Sequence, residues 1–121
     1  VPWSVEGLKE MFHTEGYCSF LAKEEEEVIG YVGMKMVLDE ADITNVAVLP
    51  SHRKKGIAGK LLKQLLEEAK KQNLHSIYLE VRASNIAAVT LYEHAGFKEV
   101  GQRKNYYDNP REDARLMLWE A

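Results

Sequence analysis

Residues 46–66, VAVLPSHRKKGIAGKLLKQLL, join a strand to a long helix through a basic loop that contains two glycines. Pro50 ends the strand, and apolar residues then recur every three or four positions, which predicts an amphipathic helix over residues 55–72. The alternation of apolar and polar residues fails at Val46-Ala47-Val48. This failure predicts either a strand buried on both faces or a β-bulge.

The loop concentrates positive charge in a chain that is acidic overall. The protein has 121 residues, with 16 Lys and Arg against 19 Asp and Glu, yet no acidic residue lies between Asp42 and Glu67. Small residues let backbone N–H groups approach a ligand, and a helix N-terminus attracts anions, so the loop predicts a phosphate or pyrophosphate site. The spacing is not that of a P-loop. The alternative is a glycine-broken helix start whose lysines are only solvated.

The remaining sequence predicts an α/β fold, with helices covering a sheet of about six strands. A run of four glutamates, residues 24–27, predicts a solvated hairpin turn. The predicted order is helix 4–13, strands 17–23, 28–38 and 41–49, helix 55–72, strand 75–82, helix 85–95, and strands 97–107 and 114–120.

Composition excludes several classes of protein. The length predicts one domain, and the net charge of -3 argues against nucleic-acid binding by bulk charge. No apolar run is long enough to span a membrane, and no signal peptide is visible. The lone Cys18 is expected to be a core residue of a cytoplasmic protein. The histidines lack metal-ligand spacing, so no metal is expected: His13, His52, His75 and His94.

Two motifs resemble the signatures of the GNAT superfamily of N-acetyltransferases. The first is Arg53-x-x-Gly56-x-Ala58, and the second is residues 85–97, NIAAVTLYEHAGF. The runs LEVRASN at 79–85 and RKNYY at 103–107 look like the bacterial ribosomal-protein-alanine branch, the RimI type. Members of that branch carry a further strand and helix ahead of the segment PWS at 2–4. Because the chain begins with Val1, we expect a fragment that lacks both.

This resemblance implies a GNAT-like mixed, mostly antiparallel sheet, with acetyl-CoA as co-substrate. The basic loop would hold the pyrophosphate, and the strand end would pair with the pantetheine arm. The N–H of Val48 would polarise the thioester carbonyl. Asn85 would contact the coenzyme, cap its helix, or both. The residues expected at the coenzyme are Val46, Ala47, Val48, Arg53, Lys54, Lys55, Gly56, Ile57, Ala58, Gly59 and Asn85.

The resemblance also assigns a general base and a general acid. Glu80 is the predicted base, because it lies in the LEVRASN run on the strand face opposite the apolar residues. The alternative for Glu80 is a cross-strand salt bridge to a Lys or Arg. Tyr92 is the predicted acid that protonates the departing thiolate. The alternative for Tyr92 is aromatic packing on a helix face.

The expected acceptor is the α-amino group of a protein N-terminus, in the RimI type that of a ribosomal protein beginning with alanine. An α-amino group has a pKa of about 7.7–8.0 and a lysine one of about 10.4, so a single base deprotonates the former more easily. The alternatives are a small-molecule amine acceptor and a non-catalytic acetyl-CoA-binding module. The aromatic candidates for lining a peptide groove are Trp3, Tyr31, Tyr106 and Tyr107. The basic candidates for attracting an acidic tail of the substrate are Arg103, Lys104 and Arg111.

Overall fold

The computed structural model describes residues 3–7 and 16–121, which form one sheet with helices packed on it. Seven strands lie in the order β1-β2-β3-β4-β5-β7-β6, and every neighbouring pair is antiparallel except β4 with β5. The described elements are β1 Trp3–Gly7, β2 Tyr17–Glu24, β3 Glu27–Val37, β4 Glu40–Val48, α1 Ile57–Lys71, β5 Ser76–Arg82, α2 Ile86–His94, β6 Lys98–Tyr107 and β7 Glu112–Glu120.

The mixed, mostly antiparallel α/β fold is confirmed, with seven strands instead of about six. The prediction of a helix over residues 4–13 was wrong for residues 4–7, which belong to the strand Trp3–Gly7 paired with β2. The helical spacing of the apolar residues there is overridden by pairing with a neighbouring strand, because backbone pairing can outweigh local propensity. The rest of that predicted helix, residues 8–13, lies outside the described residues.

The β3–β4 pairing explains the broken alternation before the loop. Gly33 pairs with Asn45 and Met34 pairs with Ile43, so Thr44 is an extra residue in β4. The predicted bulge is therefore present, two residues before Val46. The alternative of burial on both faces was wrong, since β4 alternates again from Val46 to Val48 and Ala47 is exposed.

Helix α1 covers the face of the sheet to which β3 presents Gly30. A Cβ on Gly30 would lie 3.0 Å from Ile57 Cγ2 and 3.1 Å from Leu61 Cδ1, so the glycine permits close packing of helix on strand. The predicted apolar stripe of α1 is buried, apart from Leu66, which is partly buried. Cys18 lies in β2 and is 1% exposed, as predicted.

Strands β4 and β5 pair over only three residues and then separate. The pairs are Glu40 with Ser76, Ala41 with Ile77, and Asp42 with Tyr78. Beyond them β4 continues along β3, whereas β5 continues along β7 as far as Arg82. The two halves of the sheet therefore diverge and leave a gap between the end of β4 and the end of β5.

Candidate active site

The gap opens into a cleft of about 680 Å³, and most of the predicted coenzyme residues line it. Its walls come from both halves of the sheet, from the loop before α1, and from α2. Lys55 and Glu80 are the predicted site residues that do not line it. The lining residues are Val46, Ala47, Val48, His52, Arg53, Lys54, Gly56, Ile57, Ala58, Gly59, Val81, Asn85, Ala87, Ala88, Leu91 and Tyr92.

The end of β4 turns backbone groups towards the gap. Leu49 N–H donates to Ile29 O at 2.9 Å, so Leu49 faces β3. Successive residues of a strand point their N–H and C=O groups to opposite sides, so those of Val48 face the gap. The Val48 carbonyl accepts a 3.4 Å hydrogen bond from Arg53 Nε, which is consistent with that direction. The N–H of Val48 is thus directed at the side from which β5 has moved away.

The N-terminus of α1 has the features of an anion site. Its N-cap, Gly56, has a φ of 79° and supplies no side-chain cap, and the first turn contains no acidic residue. A Cβ on Gly56 would meet nothing within 4 Å, so this stretch of backbone is open to an approaching group. Lys54 is also left-handed, with a φ of 64°. Uncapped N–H groups, the helix dipole and the neighbouring cations fit a pyrophosphate.

Helix α2 supplies the opposite wall of the cleft. Asn85 Oδ1 accepts a 3.1 Å hydrogen bond from Ala88 N, which confirms Asn85 as the N-cap. Tyr92 lines the cleft and is 8% exposed, and its ring packs edge-to-face on Phe97 at 5.9 Å. Burial, and to a lesser extent Tyr107, raises the pKa of the Tyr92 phenol. The predicted packing role of Tyr92 is therefore present, and the phenol is a protonated donor at neutral pH.

Glu80 lies on the other face of β5 from Val81, because side chains alternate along a strand. Its Oε2 is 3.3 Å from Arg103 Nε, so the salt bridge predicted as the alternative for Glu80 is present. This contact lacks hydrogen-bond geometry, and Oε2 accepts no hydrogen bond from the described part of the chain. Hydrogen bonding to Glu80 raises the pKa of Tyr106, whose side chain is half exposed. Glu80 therefore lies beside the gap in a cluster with the guanidinium of Arg103 and the phenol of Tyr106.

Tyr107 connects this cluster to Tyr92. Burial first, then the charge of Glu80, raises the pKa of Tyr107, and Tyr107 in turn contributes to the raised pKa of Tyr92. Its ring meets that of Tyr106 edge-to-face at 5.0 Å. Of the other groove candidates, Tyr31 is hydrogen-bonded to Ser19 at 3.1 Å, and Trp3 packs against the core.

Sequence reasoning missed five residues that line the cleft. One is Val81, which follows Glu80 in β5 and lies on the opposite face of the strand. Three more lie on α2, where helical spacing from Asn85 was the available signal that they face the cleft: Ala87, Ala88 and Leu91. For His52 the sequence predicts only that it binds no metal. Its ring lies 2.8 Å from Ser51 Oγ and 3.4 Å from Glu24 Oε1, which brings the β2–β3 hairpin to the loop before α1.

Residues 3–7 and 16–121 contain neither a candidate metal cluster nor a helix that could span a membrane. No group of three or more His, Cys, Asp or Glu side chains that could hold a metal occurs in this part of the chain. No helix there has both the length and the apolar character needed to cross a membrane.

Comparison with known proteins supports the family resemblance that the two sequence motifs carry. The Acetyltransferase (GNAT) family matches residues 1–97, and the chain belongs to this family. The protein is therefore an acetyltransferase. A relative, the [ribosomal protein bS18]-alanine N-acetyltransferase of Haemophilus influenzae, is 41% identical over 120 residues, which cover 97% of this chain and 81% of the relative.

Solved structures show the same architecture. The ribosomal-protein-S18-alanine N-acetyltransferase from Escherichia coli superimposes with a TM-score of 0.89 at 30% identity, covering 98% of this chain and 93% of that one. A streptothricin acetyltransferase from Bacillus anthracis, described as putative and in complex with acetyl coenzyme A, gives a TM-score of 0.80 at 26% identity. The superposition covers 93% of this chain and 67% of the streptothricin acetyltransferase chain.

Proposed function

We propose that this protein transfers the acetyl group of acetyl-CoA to the α-amino group of a cytoplasmic protein that begins with alanine, with ribosomal protein bS18 as the leading candidate. The names of its relatives support this acceptor. The coenzyme assignment is supported by the family and by the relative described in complex with acetyl coenzyme A.

The separation of β4 and β5 after three residue pairs is the observation that carries the proposal. This separation exposes the backbone groups of β4 that face the gap. The gap continues to the uncapped N-terminus of α1. An extended arm with two amides can pair with the strand, while its phosphates occupy the helix end. Glu80 and the two tyrosines of β6 lie on the other face of β5, from which the acceptor can approach.

The residues around the gap account for each proton and charge of a direct transfer. Glu80, directly or through a water, takes the proton from the amine as its nitrogen bonds to the acetyl carbon. The N–H of Val48 stabilises the negative charge that develops on the carbonyl oxygen. Tyr92 donates its proton to the sulfur as the carbon–sulfur bond breaks, so coenzyme A leaves as a thiol. Glu80 then releases its proton to solvent, and Tyr92 takes one up from solvent.

The raised pKa of Tyr92 defines how this donor works. An ordinary phenol has a pKa of about 10, and moving its proton to a thiolate costs free energy wherever the thiol has the lower pKa. Burial increases that cost. Tyr92 therefore stabilises the departing sulfur first by a hydrogen bond, and transfers its proton late.

The experiment compares acceptors in one assay. The chain and acetyl-CoA are incubated with a peptide that has a free N-terminal alanine, with the same peptide blocked at its N-terminus and carrying a free lysine, and with a polyamine. Mass spectrometry locates the acetyl group. We expect acetylation at the alanine α-amino group alone. Acetylation of the polyamine alone would replace the proposed acceptor with a small molecule, and coenzyme binding with no transfer would favour a non-catalytic module.

A further inference from the structure

We propose that Arg82 is a positioning residue, which holds the β6–β7 hairpin and Tyr107 beside Glu80 and thereby supports binding of the acceptor and not of the coenzyme. This inference rests on the proposed function, because it assigns the Glu80 face of the sheet to the acceptor.

The guanidinium of Arg82 clamps the turn that joins β6 to β7. Its Nη1 donates to Pro110 O and its Nη2 donates to Asp108 O, both at 2.9 Å. Arg82 is the last residue of β5, whereas both carbonyls belong to the turn, so the contact joins two parts of the chain distant in sequence. The planar fork of an arginine can donate in two fixed directions, and a lysine ammonium cannot reproduce that geometry.

Glu112 extends the clamp to the loop that precedes α2. Its Oε1 lies 3.4 Å from Arg82 Nη1, and its Oε2 accepts a 2.7 Å hydrogen bond from Ser84 N. Ser84 precedes Asn85, the N-cap of the helix that carries Tyr92. The start of β7 is therefore attached both to the end of β5 and to the N-terminus of α2.

The clamp also determines where the aromatic rings of the hairpin stand. The Arg82 guanidinium carbon lies 4.6 Å from the centre of the Tyr107 ring, which is cation–π distance. Tyr107 meets Tyr106 edge-to-face, and both tyrosines interact with Glu80. Because Arg82 does not line the coenzyme cleft, its loss is expected to displace the rings on the acceptor face and to leave the coenzyme wall intact.

The test compares Arg82→Lys with the matched control Arg115→Lys. Arg115 lies on β7 with similar exposure, and pairs with Glu99 at 3.4 Å away from the turn. KM is measured separately for an alanine peptide and for acetyl-CoA, and amide hydrogen exchange is measured over residues 103–112 and over α1. For Arg82→Lys we expect the peptide KM to rise about tenfold, the effect of losing one hydrogen bond of a charged donor. The KM for acetyl-CoA should stay unchanged, and exchange should accelerate in residues 103–112 only.

Other results would overturn the proposal. Equal rises in both KM values, or a fall in active enzyme with both KM values unchanged, would show that Arg82 only stabilises the fold. If the wild-type chain transfers no acetyl group, the proposed function fails, and the clamp is judged by hydrogen exchange alone. Exchange in residues 103–112 that is the same in Arg82→Lys and wild type would then refute it.

Discussion

Glu80 shares its carboxylate between Arg103 and Tyr106, while its Oε2 accepts no hydrogen bond from the described residues. The salt bridge and the proposed base role are compatible, since an exposed arginine partner can move when an amine arrives. Arg103 is more than half exposed, so little packing opposes such a movement.

Replacing Glu80→Gln tests the base directly. The amide keeps the shape of the side chain but cannot take the proton, so turnover should fall by about 10²–10⁴-fold while acetyl-CoA affinity stays the same. Steady-state kinetics and calorimetric titration of the coenzyme measure the two effects. Glu99→Gln, an exposed glutamate on β6, is the control and should keep full turnover. Wild-type turnover in the Glu80 variant would remove this residue from the mechanism.

Replacing Tyr92→Phe separates donation from packing. Phenylalanine retains the ring contact with Phe97, so the thermal midpoint should change little while kcat falls by about 10²-fold or more. Because burial raises the pKa of the phenol, the protonated donor persists above pH 10. The wild-type kcat should therefore show no decline below that pH from titration of Tyr92. Tyr17→Phe, at an exposed tyrosine, controls for loss of a hydroxyl; equal kcat values for both variants would contradict the assignment.

At the scale of elements, the start of α1 combines an open loop with a close helix contact to the sheet. Gly56 adopts a left-handed conformation that favours glycine, whereas Gly59 is an ordinary helical residue in the first turn. The same substitution should thus have opposite effects on stability at these two positions.

Gly56→Ala should lower the free energy of unfolding by about 1–2 kcal/mol, because an L-residue is strained at a φ of 79°. Gly59→Ala should raise it by about 0.5–1 kcal/mol, since alanine favours the helix and its Cβ would meet only Leu91 Cδ1 at 3.9 Å. Urea denaturation measures both values. Equal stability of the two variants would show that the left-handed conformation at Gly56 is not maintained in solution.

The link between β7 and the loop before α2 should make stability depend on pH. Hydrogen bonds from the Ser84 side chain, then from the Ser84 N–H and Arg82, hold the pKa of Glu112 below its usual value of 4.5. A depressed folded-state pKa contributes stability that is present above the unfolded value and is lost as the pH falls through the folded one. Glu112→Gln should lower the urea midpoint at pH 7, and the difference from wild type should close as the pH falls below 4.5. A difference in urea midpoint that is constant with pH would refute this pH dependence. The control is Glu93→Gln, on an exposed part of α2, which should show no difference from wild type at any pH.

On the scale of the whole molecule, the cleft has one wall on each half of a sheet that is joined by only three residue pairs. A ligand that contacts both walls should therefore stabilise the fold as one unit. At a concentration of 100 times its Kd, acetyl-CoA should stabilise the protein by about 2.7 kcal/mol. Denaturation at increasing coenzyme concentration measures this effect. The control is 3′-phosphoadenosine 5′-diphosphate, which keeps the pyrophosphate but lacks the pantetheine arm and should stabilise less at equal concentration. No dependence on acetyl-CoA concentration would contradict the proposed coenzyme site.

Elements that depend on near neighbours could be predicted from the amino-acid sequence. The stripe of α1, the Asn85 cap, the turn at residues 25–26 and the basic loop all follow from spacing over a few positions. The family resemblance carried by the two motifs implied most of the residues that line the cleft. The local elements could be predicted because their physical causes, helix periodicity, capping and turn preference, act within one or two turns of chain.

Contacts between segments distant in sequence become visible only in the folded chain. The gap exists because β5 leaves β4 to pair with β7, and no local pattern states where that exchange occurs. The contacts of Glu80 with Arg103, and of Arg82 with Pro110, join residues more than 20 positions apart, so periodicity carries no signal for them. The strand Trp3–Gly7 is another such case, since pairing with β2 overrode a helical spacing. Long-range pairing depends on the whole sheet, and it places the proposed base beside the gap.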